Sequence, residues 1–342
     1  MAAAVAVWRE SAPAAWSELL ATDPNAGPAH RPEVWEALAA TLPGHQTRFA
    51  AVEERGALAG GAAFLLERRG GLHWIHGLPM VLPGTPLARP GLHAWVDEAA
   101  ALALADLARE RRAVGGEWSL YRPLGPAFAP AALEPLGGER LGLESAVIDL
   151  GEGIEAAWRR VDRKARQEIR AARAHGLAFA EDPSALEAGY ALHAAQTRRW
   201  GRTPLPLALA RRLLAAGGEP PCARLFVVAD REGLVSAALA LDGARETLVW
   251  WSGTHPEGRR RHAFPLLLWS IAEWAARAGR ARLNLGASPG LDPVASFKRS
   301  LGARVLPYPV CWLDARHASS LGRWVAGLQR LRRRGRARGS AA

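Results

Sequence analysis

The chain has 342 residues, which is long for one hydrophobic core and suits two domains. Hydrophobic residues make up 49% and charged residues 23%, which excludes a globally disordered chain. The formal net charge of +11 favours anionic partners (nucleic acid, phosphorylated substrates, acidic lipid), while Arg and Ala abundant throughout also fit simple compositional bias.

Cys222 and Cys311 stand in no metal-ligand spacing. No disulfide framework or metal site is therefore read, and a reducing cytoplasm is expected. No run of about 18 apolar residues is present to predict a transmembrane helix. The opening apolar stretch is short and runs into Arg9 and Glu10, which does not predict a secretory signal.

Taken in chain order, helix-like and strand-like patterns alternate, which predicts an α/β fold. Residues 48–79 predict three strands. The first, Phe49–Glu53, ends in a charged turn at Gly56; the second alternates small and apolar residues; the third carries Trp74. A helix over Leu92–Arg111 and a strand over Glu117–Tyr121 follow. The same order returns downstream: a strand at Leu225–Ala229, a turn at Gly233, a strand carrying Trp250, a helix over Phe264–Ala278 and a strand at Arg282–Leu285. The two stretches align without a gap, Arg48 on Arg224, Leu58 on Leu234, Leu65 on Leu241 and Trp74 on Trp250, at one offset (224 − 48 = 176; 250 − 74 = 176). A constant offset followed by the same element order points to duplication. It predicts a first domain over 1–143, a second over 144–316 beginning with the strand Ala146–Leu150, and a basic C-terminal segment over 317–342.

Three antiparallel strands, a crossover helix and a further strand resemble the core order of a GNAT domain, so the expected fold is two tandem GNAT-like domains. The second half resembles the Fem family of aminoacyltransferases more closely. Lys164, Arg166, Ile169, Arg170, Ala172 and Gly176 match that family's basic helix. Phe297-Lys298-Arg299-Ser300-Leu301-Gly302 is similar to its FKxxFG signature, with Leu301 in the aromatic slot. The family often places Asp in the strand after the crossover helix, where this chain has Asn284.

The resemblance implies transfer of an acyl or aminoacyl group to an amine. Such a reaction needs stabilisation of a tetrahedral oxyanion, and the resemblance gives that role to Lys298; the bare alternative is a solvated lysine. Arg159, Arg163, Arg166, Arg170 and Arg173 recur at spacings of three and four, which predicts one basic face. It reads either as a phosphate-binding stripe or as a solvated surface. Trp74 and Trp250 read as core, and Trp251, on the opposite face of its strand, as a groove residue. In CoA-dependent GNAT members a glycine-rich turn cradles pyrophosphate. The matching segment here is Gly258-Arg259-Arg260-Arg261-His262-Ala263, with arginine in the central glycine slot, which argues against a CoA cradle. Pro83-Gly84-Thr85-Pro86 in the first half is no better. His255 and His262 have no partner nucleophile and are not read as metal ligands.

The expected substrate-binding set is Lys164, Arg166, Arg170, Trp251, His255, Arg259, Arg260 and Phe297, with Lys298 catalytic and no bound cofactor. The expected donor is aminoacyl-tRNA or an acyl thioester, with acyl-CoA as the alternative. The expected acceptor is an amine, lipid-linked if the chain serves cell-wall or envelope biogenesis. A rival of another class is a non-catalytic module that binds tRNA or anionic lipid. Leu321, Trp324, Val325, Leu328 and Leu331 recur at helical spacing before an arginine-rich end. This reads as an amphipathic helix that either lies on an anionic membrane face or docks on the protein. A cytoplasmic monomer, peripheral to the inner membrane face in the first case, is the expectation.

Overall fold

A computed structural model describes residues 5–124, 133–134, 136–137, 140–288, 291–323 and 325–326. Its internal contacts divide the chain into two units, Met1–Leu143 with Pro307–Ala342, and Glu144–Leu306.

The first unit begins with β1 (Val5–Arg9), α1 (Trp16–Thr22) and α2 (Pro32–Thr41). The predicted meander follows as β2 (His45–Glu54), β3 (Ala57–Arg69) and β4 (Leu72–Gly77). The two-residue β5 (Leu87–Ala88), α3 (His93–Glu110) and β6 (Gly115–Ser119) complete the run. Arg55 and Gly56 take positive φ, 51° and 79°, as a tight hairpin between β2 and β3 requires. The neighbours run β1-β2-β3-β4-β6, antiparallel except for β4 with β6. Phe64, Ile75 and Trp118 pack with α3 residues such as Ala100 and Leu104 in one buried cluster.

The second unit holds β7 (Arg140–Asp149), α4 (Ile154–Arg160), α5 (Arg163–Ala174), β8 (Ala178–Glu181), α6 (Leu186–Arg199) and α7 (Leu207–Ala215). The repeated meander is β9 (Ala223–Asp230), β10 (Gly233–Asp242) and β11 (Glu246–Thr254). The short α8 (Pro256–Arg260), α9 (Ala263–Arg277), β12 (Arg282–Asn284) and α10 (Asp292–Ser300) follow. The strand order is β8-β9-β10-β11-β12-β7, with β11 and β12 parallel and the other pairs antiparallel. α9 is buried along most of its length, from Pro265 through Ala272, and forms the centre of this core.

The duplication extends to irregularities. In the first hairpin Ala59 falls out of register, because Val52 pairs Gly60 and Glu53 pairs Leu58. In the second Val235 does so, because Ala229 pairs Leu234 and Val228 pairs Ser236. The two bulges differ by the repeat offset (235 − 59 = 176). A bulge inserts one residue and bends the strand.

The last strand corrects the boundary expected at residue 316. In β13 (Arg304–Trp312), Val310, Cys311 and Trp312 pair with Ser119, Trp118 and Glu117 of β6. Those backbone hydrogen bonds put the chain from Pro307 onward with the first unit. Residues 320–323 are helical, but Trp324, Leu328, Leu331 and the arginine-rich end lie outside the described residues. Among the described residues no helix is long and apolar enough to cross a membrane.

Candidate functional site

In the second unit β11 and β12 part company. They pair through Glu246 with Arg282, Thr247 with Leu283 and Leu248 with Asn284. There β12 ends, while β11 continues to Thr254 with a bulge at Trp250, since Leu239 pairs Trp251 and Ala240 pairs Val249. The chain leaving β12 turns at Gly286, whose φ of +74° favours glycine.

A buried polar network fixes this turn. Asn284 is fully buried, and its Oδ1 accepts the Gly286 N–H at 2.7 Å and the Ser145 hydroxyl at 2.6 Å. Its amide donates to Glu246 Oε1 at 3.1 Å, and Arg282 Nε donates to the other Glu246 oxygen at 3.0 Å. The slot where a carboxylate resembles the family pattern is thus filled by an amide that must both donate and accept. The nearby carboxylate, Glu246, is 2% exposed and held by Arg282.

Lys298 closes the turn from the other side. Its Nζ donates to the Gly286 carbonyl at 2.9 Å and to the Ala287 carbonyl at 3.2 Å. The residue is 8% exposed, so it is not a solvated surface lysine, and burial pushes its ammonium down to about 8. Two of the three ammonium donors are engaged on the loop. Phe297 stacks on Phe264 of α9, ring centres 5.3 Å apart, which seats α10 on the core.

The remaining predicted residues fall in separate places. Lys164, Arg166 and Arg170 lie on α5, whose Ala165, Ile169 and Ala172 are buried. Arg163, Lys164 and Arg170 are exposed, and Arg170 lies over the Trp158 ring at 5.9 Å. Arg173, by contrast, pairs with Glu273 at 2.7 Å. The expected continuous basic face is broken at Arg159. That residue belongs to α4, because Val161 is extended and Asp162 starts a new helix. His255 caps α8, its Nδ1 accepting the Glu257 N–H at 3.3 Å. Arg260 pairs with Glu257 at 2.9 Å. Arg259 donates to the Thr254 carbonyl, and burial together with the nearby Arg199 pulls its pKa down. No hydrogen bond or ion pair among the described residues joins Lys298 to these arginines or to α5.

Trp251 is a correction. It is 5% exposed, stacked on His193 of α6 at 4.9 Å and edge-on to Tyr190, so it lines no groove. Trp74 and Trp250, read as core, are half-buried. Trp251 is covered because α6 packs against the part of β11 that carries it, while Trp74 packs against the buried cluster around Val114.

The segment aligned with the pyrophosphate turn is a poor cradle for a structural reason as well. α9 starts at Ala263 after His262 in the left-handed conformation (φ 57°), and its third residue is Pro265, which has no N–H. Arg261, in the central glycine slot, is tied to Asp230 and donates to the His175 carbonyl at 3.0 Å. In the first unit the Gly84 N–H donates to the Ser119 hydroxyl and its carbonyl accepts from the Tyr121 N–H.

A second polar cluster, not read from sequence, crosses the first unit's sheet. His45 of β2, Glu67 of β3, His76 of β4 and Glu117 of β6 border a cavity of about 680 Å³. Burial works against a charged His76, but its hydrogen bonds to the Glu117 and Glu67 carboxylates override it and hold its pKa up at about 9. Its signal in the sequence was faint, since the four residues approach only once the strand register is known.

Residues 159–299 match the sequence family described as acetyltransferase (GNAT) domain. The second unit therefore carries a segment that matches a GNAT-type domain, and the whole chain has the fold of two tandem GNAT-like α/β units. Among solved structures the chain is similar to a crystal structure of FemX (TM-score 0.69, 13% identity, covering 89% of this chain and 96% of that one). It is also similar to the C-terminal domain of a provisionally assigned lysylphosphatidylglycerol synthetase from Agrobacterium fabrum (TM-score 0.55, 11% identity, 90% and 92% covered). A third likeness is to a conserved protein of unknown function from Bacteroides thetaiotaomicron (TM-score 0.55, 11% identity, 91% and 100% covered). At these identities the likeness is one of fold. No curated protein matches the sequence significantly.

Proposed function

We propose that the chain transfers an aminoacyl or other acyl group to an amine acceptor, and that the reaction is centred on Lys298 where β11 and β12 diverge. The observation that carries this reading is the buried ammonium, fixed by the Gly286 and Ala287 carbonyls beside the strand split. Its third donor is directed to the oxygen that becomes anionic as the amine attacks the acyl carbon. A preset donor in a water-poor site stabilises that charge without reorganisation. Asn284 and Glu246 position the turn and take no proton in this scheme. The acceptor amine loses its proton to solvent or to a donor phosphate, and collapse of the tetrahedral intermediate breaks the donor's ester or thioester bond, the leaving hydroxyl or thiol taking a proton from solvent.

The donor favoured is an aminoacyl-tRNA or a carrier-bound thioester rather than free acyl-CoA. Pro265 and the engaged Arg261 leave little of a backbone pyrophosphate cradle. The α5 cations Arg163, Lys164, Arg166 and Arg170 form no ion pair among the described residues and suit a phosphate backbone. Arg199 and Arg259 add a second basic locus at the end of β11. An envelope role with a lipid-linked acceptor follows only if such an acceptor is used.

The test is incubation of the purified chain with a panel of labelled aminoacyl-tRNAs and labelled acetyl-CoA, with amine acceptors present, followed by mass spectrometry of the acceptors. Label arriving from a charged tRNA supports the reading. Label arriving from acetyl-CoA alone transfers the assignment to a CoA-dependent N-acyltransferase. Salt-sensitive RNA retention with no transfer from any donor points to a binding module.

A further inference from the structure

The first unit carries a donor set that the acyl-transfer reading does not use. Side chains directly opposite one another in a sheet share a face. His45 is opposite Glu67, and His76 is opposite Glu117. Leu65 is opposite His76, and Glu67, two residues on from Leu65, therefore shares that face. Four strands thus present His45, Glu67, His76 and Glu117 in one row.

Three of these offer ligand atoms at one point. His76 Nε2 is 3.0 Å and His45 Nε2 4.0 Å from the same Glu67 oxygen, Oε2, and one ligand atom from each residue lies within 4.8 Å of the others. Donors around a tetrahedral zinc ion are about 3.3 Å apart for bonds of about 2.0–2.2 Å, so small side-chain rotations close the set. The partner atoms behind them are already oriented. His45 Nδ1–H donates to the Pro43 carbonyl at 3.0 Å, which in the neutral imidazole leaves the lone pair on Nε2. His76 Nδ1 lies 2.9 Å from Glu117, and Arg69 holds the second Glu67 oxygen at 2.5 Å. Outer carboxylates and carbonyls that fix a histidine's tautomer in this way are characteristic of metal sites. The row opens on the cavity of about 680 Å³, whose wall also includes Leu42, Pro79 and Met80.

We propose that His45, Glu67 and His76 form a three-ligand site for a divalent transition ion of the zinc class, with a fourth coordination position open to this cavity. Two imidazoles and one carboxylate suit zinc, cobalt or nickel better than magnesium or calcium, which prefer oxygen alone. The open position would take water or a substrate oxygen.

The test is titration of the chelator-treated full chain with Co²⁺, read by visible absorption, and with Zn²⁺, read by equilibrium dialysis. The expected result is one equivalent bound with a dissociation constant of about a micromolar or tighter and an intense visible band of a four- or five-coordinate ion. His45→Gln, Glu67→Gln and His76→Gln should each weaken binding about 100-fold or more, and Glu117→Gln about 10–100-fold. His73→Gln, three residues earlier on β4 and on the opposite face, should bind as the parent does. Where a variant does not fold, X-ray absorption of the zinc-loaded parent decides the matter: two histidine nitrogens at about 2.0 Å support the site, and a shell without histidine overturns it. Absence of binding at about 100 μM metal, or binding indifferent to His45→Gln and His76→Gln, would also overturn it.

Discussion

Asn284 and Lys298 grip the same residue from opposite sides: Asn284 Oδ1 accepts the Gly286 N–H at 2.7 Å, and Lys298 Nζ donates to the Gly286 carbonyl at 2.9 Å. A strand end and a helix 12 residues further along are thereby locked to one turn. That turn sits where β12 leaves β11, and the proposed chemistry depends on it.

Gly286 holds φ +74°, so Gly286→Ala introduces a strained left-handed alanine costing about 1–2 kcal/mol. Melting should fall by a few degrees, and transfer activity should fall further than the stability loss accounts for, because both carbonyls that hold Lys298 shift. Thermal melting and transfer rate measured side by side check this. Parent-like values in both would mean the turn has no role in placing the lysine.

Asn284 both donates to Glu246 and accepts from Gly286. Asn284→Asp restores the residue type of the Fem-like pattern but sets a second buried carboxylate against Glu246. The expected cost is about 3–5 kcal/mol at neutral pH, as for an unmatched buried charge. Burial beside Glu246 would raise the folded-state pKa of the new carboxyl, so the folded variant binds more protons than the unfolded chain and its deficit should shrink as pH falls through the raised carboxylate range. Denaturant unfolding at pH 5 and pH 8 measures the difference. A variant as stable as the parent at both pH values would contradict the assigned amide orientation.

The buried Lys298 ammonium is held down at about 8. An oxyanion-stabilising cation works only while protonated. Activity from this group is therefore present below that pH and is lost as pH rises through about 8. Stability moves the other way: between about 8 and the unfolded lysine range the unfolded chain binds more protons, so the burial penalty is relieved as pH rises. The profile of kcat/KM should show an alkaline limb near pH 8 that Lys298→Arg moves out of range. A limb unchanged in Lys298→Arg would assign it to another group.

Arg170 and Lys164 are exposed and unpaired with acids among the described residues, whereas Arg173 is tied to Glu273. Lys164→Ala and Arg170→Ala should each weaken tRNA retention and lower the log–log salt slope by about 0.7–0.9. Arg173→Ala should do less. Filter binding across a salt series distinguishes them. Equal effects from all three would indicate diffuse attraction rather than a stripe.

Much of the fold was legible because duplication leaves a periodic trace. The offset that aligns Trp74 with Trp250 also aligns the bulges at Ala59 and Val235. Lys298 was legible through its neighbours Phe297 and Gly302. Alternation along β11 did not show that Trp251 is covered, because the strand bulges at Trp250 and the cover comes from α6, a helix from 50 and more residues earlier. The break between α4 and α5 was hidden because Arg159 and Arg163 keep helical spacing across the extended Val161. The return of β13 to β6, and the row from His45 to Glu117, rest on strand register, which hydrophobic pattern alone does not specify.

The most direct measurement is the rate of labelled acyl transfer by Lys298→Met, with its thermal melting recorded beside it. Methionine keeps the apolar stem and removes the charge, so the fold should persist. Melting should stay close to the parent, and the transfer rate should fall by about 10²–10³. A folded Lys298→Met that transfers within about threefold of the parent (under 1 kcal/mol in the barrier) would contradict the assignment of the buried ammonium as the group that stabilises the oxyanion.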